Sequence, residues 1–520
     1  MARFRRPALG VTPLEDRVTP ATFAYAAGTL TVTAETGDAL LVSLDAENVP
    51  GFLHVASGPD VFDSTDTQPV RNLVVNAGTA ANYMLNVGAG VSLTDLTVRG
   101  AATNSTVNLS PDLRLAGNFT FTGQAAGGTD TITLFSPAQV NGNVTLDLGG
   151  GTNTVAVHGG RIGGNVRVTG GAGDDAVNVG LIGAATIGGN LSVSLGGGFN
   201  RLTGAGANSV LVGRNFTYTG GAGDDRIDFD TSNTQFRVIG SVSADLGGMT
   251  GAFIPPANFW HTGDLTVGRN CSVRGALQVH MDGENFIGGN VTVTGVPDAG
   301  NTFTMGMSPA PGANTMASTV NGSLRYTGGA LTDAVALDHL TVRRNVDLRF
   351  GAGPGSNAYV GVSQTAKVVV GGALRISSAA DVGSFVLDRM RVDGPTTVRT
   401  LGGVDQVSIN DSDLVGAVTF DLGAGNDVVR IDADNADAFG AALPLRTRFQ
   451  SALTVFGRDG ADAVSLGINA SGTGVYVGGP IRLVGGAGID DLTLRTMPPP
   501  NNNNYLSLSL SEDFETGNDF

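Results

Sequence analysis

The stretch that decides the fold is Ile162–Gly180, which reads I-G-G-N-V-R-V-T-G-G-A-G-D-D-A-V-N-V-G. Val166 and Val168 alternate with polar residues, and Val177 and Val179 do the same beyond the glycines. Alternation with a period of two indicates a half-buried β-strand. The glycine-rich segment between the two runs tolerates positive φ, as a tight corner requires. The stretch therefore predicts a strand, a corner and a second strand.

This unit recurs along the chain at nearly constant spacing, because the acidic or amide residue that closes each corner returns every 22 to 26 residues. In the first half of the chain these residues are Asn82, Asn104, Asp130, Asn153, Asp175, Asn200 and Asp225, and in the second half they are Asp333, Asn357, Asp381, Asp405 and Asp427. A second series of asparagines precedes the strands at the same spacing: Asn118, Asn143, Asn165, Asn190 and Asn215. A fixed period of this length is typical of a solenoid.

Three short strands and three bends fill each period, and helical periodicity is absent from it. We therefore expect an all-β, right-handed parallel β-helix of about 22–26 residues per coil, in which each strand pairs with the next coil. The asparagines are expected to lie above one another as an internal amide ladder.

The chain divides into four regions by pattern and composition. They are an export-type segment at 1–21, an irregular N-terminal β cap at 22–70, a β-helix at 71–496 with insertions near 249–264, 302–318 and 433–450, and a linker with an acidic tail at 497–520. We expect the cap because an exposed coil end is a sheet edge open to further pairing.

Charge and composition exclude several classes of function. The net charge of −16 argues against nucleic acid as a partner, because a phosphate backbone demands a basic face. Cys271 is the only cysteine, so no internal disulfide exists. The chain contains no run of 18 apolar residues, so no membrane-spanning helix is expected.

The N-terminal segment Leu14–Pro20 reads L-E-D-R-V-T-P. It resembles the start of large repeat-rich surface or secreted proteins of planctomycete bacteria. The resemblance covers about 20 residues and implies export, and hence an extracellular or cell-surface location. The alternative is chance similarity in an unfolded N-terminus.

The corner motif G-G-x-G-x-D-x-U-x carries a second resemblance. It is complete at Gly170–Asn178, Gly220–Asp228 and Gly485–Thr493, with near matches at Leu422–Arg430 and Gly457–Ser465. It resembles the nonapeptide repeats of RTX proteins, which bind Ca²⁺ between successive turns. The resemblance implies weak Ca²⁺ sites at Asp175, Asp225, Asp427, Asp462 and Asp490.

The sequence departs from the RTX pattern in two ways. It has one motif per coil instead of a tandem array, and the neutral Asn200 stands between Asp175 and Asp225. The alternative interpretation is that Asp and Asn occupy these positions because they suit tight corners and hydrogen-bond their own backbone.

Four arginines recur at the coil spacing: Arg325, Arg349, Arg375 and Arg399. On stacked strands we expect them to point outward along one side, where like charges near 5 Å apart repel unless an anion or acid compensates. This pattern suggests contact with an anionic glycan or another surface polymer. The alternative is ordinary exposed arginines, with Asp347 and Asp421 as partners.

An aromatic, proline-containing segment at Phe253–Trp260 lies in the first insertion. Aromatic loops suit stacking against sugar rings, and His261 and Asp264 could add acid–base groups. The alternative is a loop that folds its aromatic residues back onto the coils.

No standard catalytic motif is present in the sequence, and paired carboxylates such as Asp174 and Asp175 recur at corners, which indicates structure. We therefore predict an exported, non-enzymatic surface or adhesion-type protein whose partner is a surface polysaccharide or another component of the cell envelope. The alternative is a β-helix enzyme that cleaves polysaccharide, for which the 249–264 insertion is the first place to look.

Overall fold

The computed structural model describes residues 21–34, 39–44, 53–57, 60–65, 68–77, 82–124, 127–204, 209–229, 235–247, 259–307, 317–361, 367–379, 382–432, 447–467, 475–494 and 504–510. Its regular secondary structure is all β, and parallel strands stack coil on coil into a solenoid. The predicted parallel β-helix is confirmed.

Each coil contains three strands, for example Gly160–Ile162, Val166–Thr169 and Asp175–Val179. We call these the first, second and third strands. The first corner joins the first strand to the second, the second corner joins the second to the third, and the third corner leads to the next coil. The strand, corner and strand predicted within 162–180 are confirmed.

The strand bounds follow this order through the rod. First strands are Ser92–Leu93, Arg114–Leu115, Gln139–Val140, Gly160–Ile162, Ala185–Ile187, Val210–Val212, Phe236–Val238, Leu265–Val267, Phe286–Ile287, Ser318–Val320, Leu340–Val342, Val368–Val370, Met390–Val392, Asp413–Leu414 and Arg448–Phe449. Second strands are Thr29–Thr33, Asn72–Asn76, Asp95–Arg99, Phe119–Thr122, Val144–Asp147, Val166–Thr169, Leu191–Gly196, Phe216–Gly220, Val242–Asp245, Cys271–Arg274, Val291–Thr294, Leu324–Thr327, Val346–Phe350, Leu374–Ser378, Thr396–Arg399, Val418–Asp421 and Leu453–Asp459. Third strands are Ala39–Leu44, Asn82–Val87, Asn104–Leu109, Thr129–Leu134, Asn153–Val157, Asp175–Val179, Asn200–Gly204, Asp225–Phe229, Phe259–Thr262, Gln278–Met281, Thr302–Met305, Ala334–Leu337, Ser356–Val360, Val382–Asp388, Gln406–Asn410, Val428–Ile431, Ala463–Leu466 and Asp491–Leu494.

The two ends of the described chain are built differently from the coils. Thr22–Ala26 pairs antiparallel with Thr29–Thr33, and Leu53–Ser57 pairs antiparallel with Asp60–Asp63. Tyr476–Ala487 spans the positions of a first and a second strand, and Asn504–Leu510 pairs in parallel with it. This last strand lies within the segment predicted to be linker and tail.

Apolar residues of successive coils superpose in register inside the rod. Val144, Val166, Leu191 and Phe216 are aligned partners on neighbouring second strands, and all four are buried. The alternating side chains of these strands point outward, so a single core runs the length of the stack. Burial of this alternating face is the main stabilisation of each coil.

The predicted amide ladder is present, but it lies at the exposed first corner and not inside the rod. The backbone N–H of Asn190 donates to Oδ1 of Asn165 at 2.8 Å, and Nδ2 of Asn190 donates to the same oxygen at 3.1 Å. The pattern repeats between Asn165 and Asn143, and between Asn215 and Asn190. An asparagine is favoured here because its side chain can bridge to the coil on either side while facing solvent.

The corner residues proposed from spacing are wrong by one position in some coils. Ser105, and not Asn104, is aligned with Asp130 at the buried corner position. Ser356, and not Asn357, accepts the backbone N–H of Asp333, at 3.1 Å. Asp381, the N-terminal segment with Leu14–Pro20 and most of the 249–264 insertion lie outside the described residues.

Among the residues that the structure describes, no helix is long and apolar enough to cross a membrane.

Candidate functional site: corner carboxylates and an acid–histidine cluster

The corner aspartate folds back into its own corner in two coils. At the G-G-x-G-x-D corner of Asp225, the backbone N–H of Gly221 donates to the carboxylate. At the related corner G-G-A-L-T-D, the backbone N–H of Gly329 donates to Oδ1 of Asp333 at 3.2 Å. The first glycine of the motif is required because a Cβ on Gly220 would collide with Oδ2 of Asp225. The carboxylate thus replaces the turn hydrogen bond that the glycine-rich corner lacks.

The same carboxylates also link neighbouring coils. In the first half of the rod, Asp and Asn alternate at this position: the backbone N–H of Asp175 donates to Oδ1 of Asn200 at 3.1 Å, and Nδ2 of Asn200 donates to Oδ1 of Asp225 at 3.0 Å. All three side chains are buried. Asp175 and Asp225 each accept an amide hydrogen bond from the preceding coil, from Asn153 and Asn200, so carboxylates are not adjacent in these coils.

In the C-terminal coils the same position holds aspartates only: Asp405, Asp427, Asp462 and Asp490. The backbone N–H of Asp405 donates to Oδ1 of Asp427, that of Asp427 to Asp462 and that of Asp462 to Asp490, each at 2.9 Å. None of the four is more than 2 % exposed. We call this column the aspartate ladder. Oδ2 of Asp427 and Oδ2 of Asp462 are buried and accept no hydrogen bond.

Burial sets the protonation of these acids. The pKa of Asp427 is raised to about 7, chiefly by burial; the backbone N–H bond from Asp405 opposes the increase, and the Asp405 and Asp462 carboxylates contribute to it. Burial likewise raises the pKa of Asp225 to about 7 and that of Asp175 to about 6. The pKa of Asp462 is raised by burial and by Asp490. Stacked buried carboxyls therefore require protons or cations.

The five aspartates predicted to bind Ca²⁺ therefore lie in one buried column at the second corner. They do not converge on a single ion. Within the described ranges, no three His, Cys, Asp or Glu side chains form a metal-holding group. A hard cation such as Ca²⁺ prefers oxygen ligands, and the Oδ2 atoms of Asp427 and Asp462, which accept no hydrogen bond, are ligands of that kind.

The four predicted arginines lie exposed on the second strands, but they do not form a single column. Arg325 is aligned with Asp347, and Asp347 with Arg375. Arg349 and Arg399 lie in the other outward column, separated by Ser377. The predicted stacking of like charges at about 5 Å is wrong, because successive arginines alternate between the two outward positions of the strand.

Arg349 and Arg399 pair with the acids that the sequence suggested as partners. Asp347 accepts a hydrogen bond from Arg349 at 2.8 Å, and Asp421 lies 3.8 Å from Arg399. Asp421 also accepts from Arg458 at 2.8 Å, a partner that the sequence did not suggest because it lies 37 residues away.

Trp260 and His261 lie on the third strand Phe259–Thr262. The Trp260 indole is fully buried and packs near Phe216, with ring centroids 6.4 Å apart, so it offers no face to a sugar. The aromatic residue has folded back into the coils. His261 points outward from the same strand.

His261 lies between two carboxylates on the outer third face. Its Nε2 is 3.2 Å from Asp282 Oδ2, and its Nδ1 is 3.6 Å from Asp228 Oδ1. Its ring centroid is 6.0 Å from that of His280, whose Nδ1 hydrogen-bonds to Thr304 Oγ1 at 2.8 Å. We call Asp228, His261, His280 and Asp282 the acid–histidine cluster.

Comparison with protein-family models, with curated proteins and with solved structures found no match.

The two histidines of the acid–histidine cluster have different surroundings. Burial lowers the pKa of His280, with Asp282 acting in the opposite direction and His261 adding to the decrease. His261 has a carboxylate near each of its ring nitrogens. Neighbouring imidazoles flanked by carboxylates are groups able to donate and accept protons.

The sequence indicated His261 as a candidate site residue but not its neighbours. Asp264, proposed beside it, instead accepts the backbone N–H of Glu284 at 2.9 Å. Asp228, His261 and His280 are register partners in three successive coils. Asp228 and His261 are farther apart in the chain than the 22–26-residue repeat, which conceals their alignment.

Proposed function

We propose that the protein is an exported, non-enzymatic structural rod of the cell surface, of the adhesion type. The observation that supports this best is the use of its acids: carboxylates of several coils accept the backbone N–H of the preceding coil, as Asp427 does for Asp405. Carboxylates that hold neighbouring coils together at many places suit a structural scaffold better than a single reaction centre. The resemblance of Leu14–Pro20 to exported proteins supports the location.

The location is tested on intact cells that produce the protein. A surface rod is degraded by external protease and labelled by an antibody without permeabilisation, whereas a cytoplasmic control protein is not. Protection of the protein until the cells are lysed would contradict export.

We further propose that Ca²⁺ binds weakly at the corner aspartates and stabilises the rod. The support is electrostatic: in the aspartate ladder, Asp427 and Asp462 bury Oδ2 atoms that accept no hydrogen bond. A cation binding only the folded state raises the melting temperature. Protons compete for the same oxygens, so the effect should be larger at pH 8 than at pH 5.

The calcium test is thermal melting with Ca²⁺ or with chelator. We expect Ca²⁺ to raise Tm by several degrees at pH 8, and the double variant Asp427→Asn/Asp462→Asn to lose the increase. Asp147→Asn, at an exposed position of a second strand, is the control and keeps it. An unchanged Tm, or an equal increase in the double variant, would contradict Ca²⁺ binding there while leaving the rod proposal intact.

A second candidate is an enzyme that cleaves polysaccharide, favoured by the acid–histidine cluster on the outer third face. His261, flanked by two carboxylates, and the neighbouring His280, whose pKa is lowered by burial, could serve as acid and base. The test is release of reducing ends or unsaturated sugars from a panel of neutral and acidic polysaccharides. Activity that His261→Ala abolishes and His54→Ala keeps would support this candidate. No activity on any polymer would support the rod.

A further inference from the structure

The outer second face is strongly basic in its C-terminal coils, although the chain carries a net charge of −16. Outward positions from Leu324–Thr327 to Tyr476–Ala487 hold six arginines and three aspartates, a local charge of 6 − 3 = +3. The arginines are Arg325, Arg349, Arg375, Arg399, Arg458 and Arg482, and the acids are Asp347, Asp421 and Asp459. We call these positions the basic face.

The carboxylates of the basic face are shared and do not neutralise it. Asp347 lies 2.8 Å from Arg349 and 4.0 Å from Arg325. Asp421 is shared in the same way, at 2.8 Å from Arg458 and 3.8 Å from Arg399. Each shared acid therefore leaves one positive charge in excess.

Two arginines have no acidic partner at all among the described residues. Arg375 and Arg482 are exposed and make no ion pair with them. The Arg482 guanidinium instead lies over the Phe456 ring, 5.3 Å from its centroid, and that of Arg458 lies 5.1 Å from the same centroid. A guanidinium placed on a ring keeps its hydrogen-bond donors directed to solvent.

We propose that the basic face binds a carboxylate-bearing polysaccharide whose chain runs along the rod. Guanidinium groups match carboxylates with two parallel hydrogen bonds, and a positive strip on a negative rod directs an anionic chain to one face. Arg325 and Arg375 are two coils apart in one column, and Arg349 and Arg399 are two coils apart in the other, roughly 9.6 Å at 4.8 Å per strand. That distance is comparable to a disaccharide of an extended glycan. This inference rests on the proposed surface function, and it names the class of ligand that the surface protein would bind.

Nucleic acid is the competing polyanion, and the structure favours it less. Single strands are held by bases stacked on open aromatic rings, but the Phe456 ring on this face is covered by guanidinium groups. The rest of the chain is acidic and would repel a longer polyphosphate.

The test is binding of the full-length protein to immobilised polygalacturonate, with neutral dextran and single-stranded DNA as comparison ligands. The variant is Arg375→Ser/Arg482→Ser, which removes the two arginines without acidic partners. The matched control is Arg114→Ser/Arg161→Ser, which removes two exposed charges from the first face. Melting curves establish that each variant is folded.

We expect salt-sensitive binding to polygalacturonate and none to dextran. The Arg375/Arg482 variant should bind roughly tenfold more weakly, and the slope of log Kd against log salt should fall by about two. The control should bind as the wild type does. Absent binding at low salt, equal losses in both variants, or tighter binding to DNA would each overturn the proposal. A failure here leaves cell-surface exposure, measured separately by protease, untouched.

Discussion

Asp427 and Asp462 lie one above the other in successive coils, and the backbone N–H of Asp427 donates to Oδ1 of Asp462 at 2.9 Å. The two residues are 35 positions apart in the chain and almost completely buried. Two carboxyls this close in a dry corner cannot both be ionised without cost. The aspartate ladder is therefore both the bond between coils and a source of pH sensitivity.

The first prediction is that the rod loses stability as the pH rises. The folded Asp427 carboxyl has a pKa of about 7 against an ordinary value of 3.8, so between these values the folded state binds more protons than the unfolded state. The free energy of unfolding therefore falls from about pH 4 to about pH 7 and is then constant. Denaturant melts at pH 5 and pH 8 measure the difference.

Asp427→Asn removes this proton linkage, because an amide keeps the Oδ1 acceptor and carries no charge. We expect the variant to be more stable than wild type at pH 8, by about 1.4 kcal/mol for each unit of pKa shift removed, and similar to it at pH 4. The exposed Asp147→Asn is the control and should not alter the pH profile. A wild type that gains stability between pH 5 and pH 8 would refute the linkage.

The second prediction concerns the first glycine of the corner motif. Gly220→Ala would drive a methyl group into the Asp225 carboxylate, so we expect a loss of about 1–3 kcal/mol in the free energy of unfolding. Gly127→Ala is the control, because the nearest atom to its added Cβ is 3.9 Å away. Equal effects of the two substitutions in urea melts would show that the corner geometry is incorrect.

The third prediction concerns the exposed amide ladder. Asn165→Ala removes the acceptor for the Asn190 N–H and the bond to Asn143, so we expect a loss of about 1–2 kcal/mol. Asn165→Asp should cost less, because Asp95 already fills this role and accepts the Asn118 N–H at 2.7 Å. Thermal melting compares the two, and a larger loss for the aspartate variant would contradict the account.

Much of the fold could be predicted because short-range sequence patterns specify the strands and turns of each repeat. The alternation around Val166 and the glycines of the next corner specify a strand and a turn without knowledge of distant residues. The constant spacing of this unit along the chain then indicates that successive coils stack on one another. Which residue occupies the buried corner could not be predicted where a small hydroxyl, such as Ser105 or Ser356, replaces the acid.

Long-range partners across insertions were the part that sequence could not supply. Asp427 and Asp462 are separated by one enlarged coil, as are Asp228 and His261, so constant spacing misses both pairs. The two columns of arginines were missed for another reason. A two-residue shift within a strand keeps a side chain outward but places it in the other outward column, and spacing alone does not fix register.

The central claim is that successive coils superpose in register, and engineered disulfides test it most directly. Thr120 and Thr145 are aligned on neighbouring second strands, about 4.8 Å apart and within disulfide range, whereas Thr120 and Arg167 are two coils apart. The native Cys271 is buried and does not interfere. We predict oxidation of the Thr120→Cys/Thr145→Cys pair to an intramolecular disulfide, and none for Thr120→Cys/Arg167→Cys. Equal yields, or cross-linking of the second pair alone, would contradict the stacked solenoid and everything built on it.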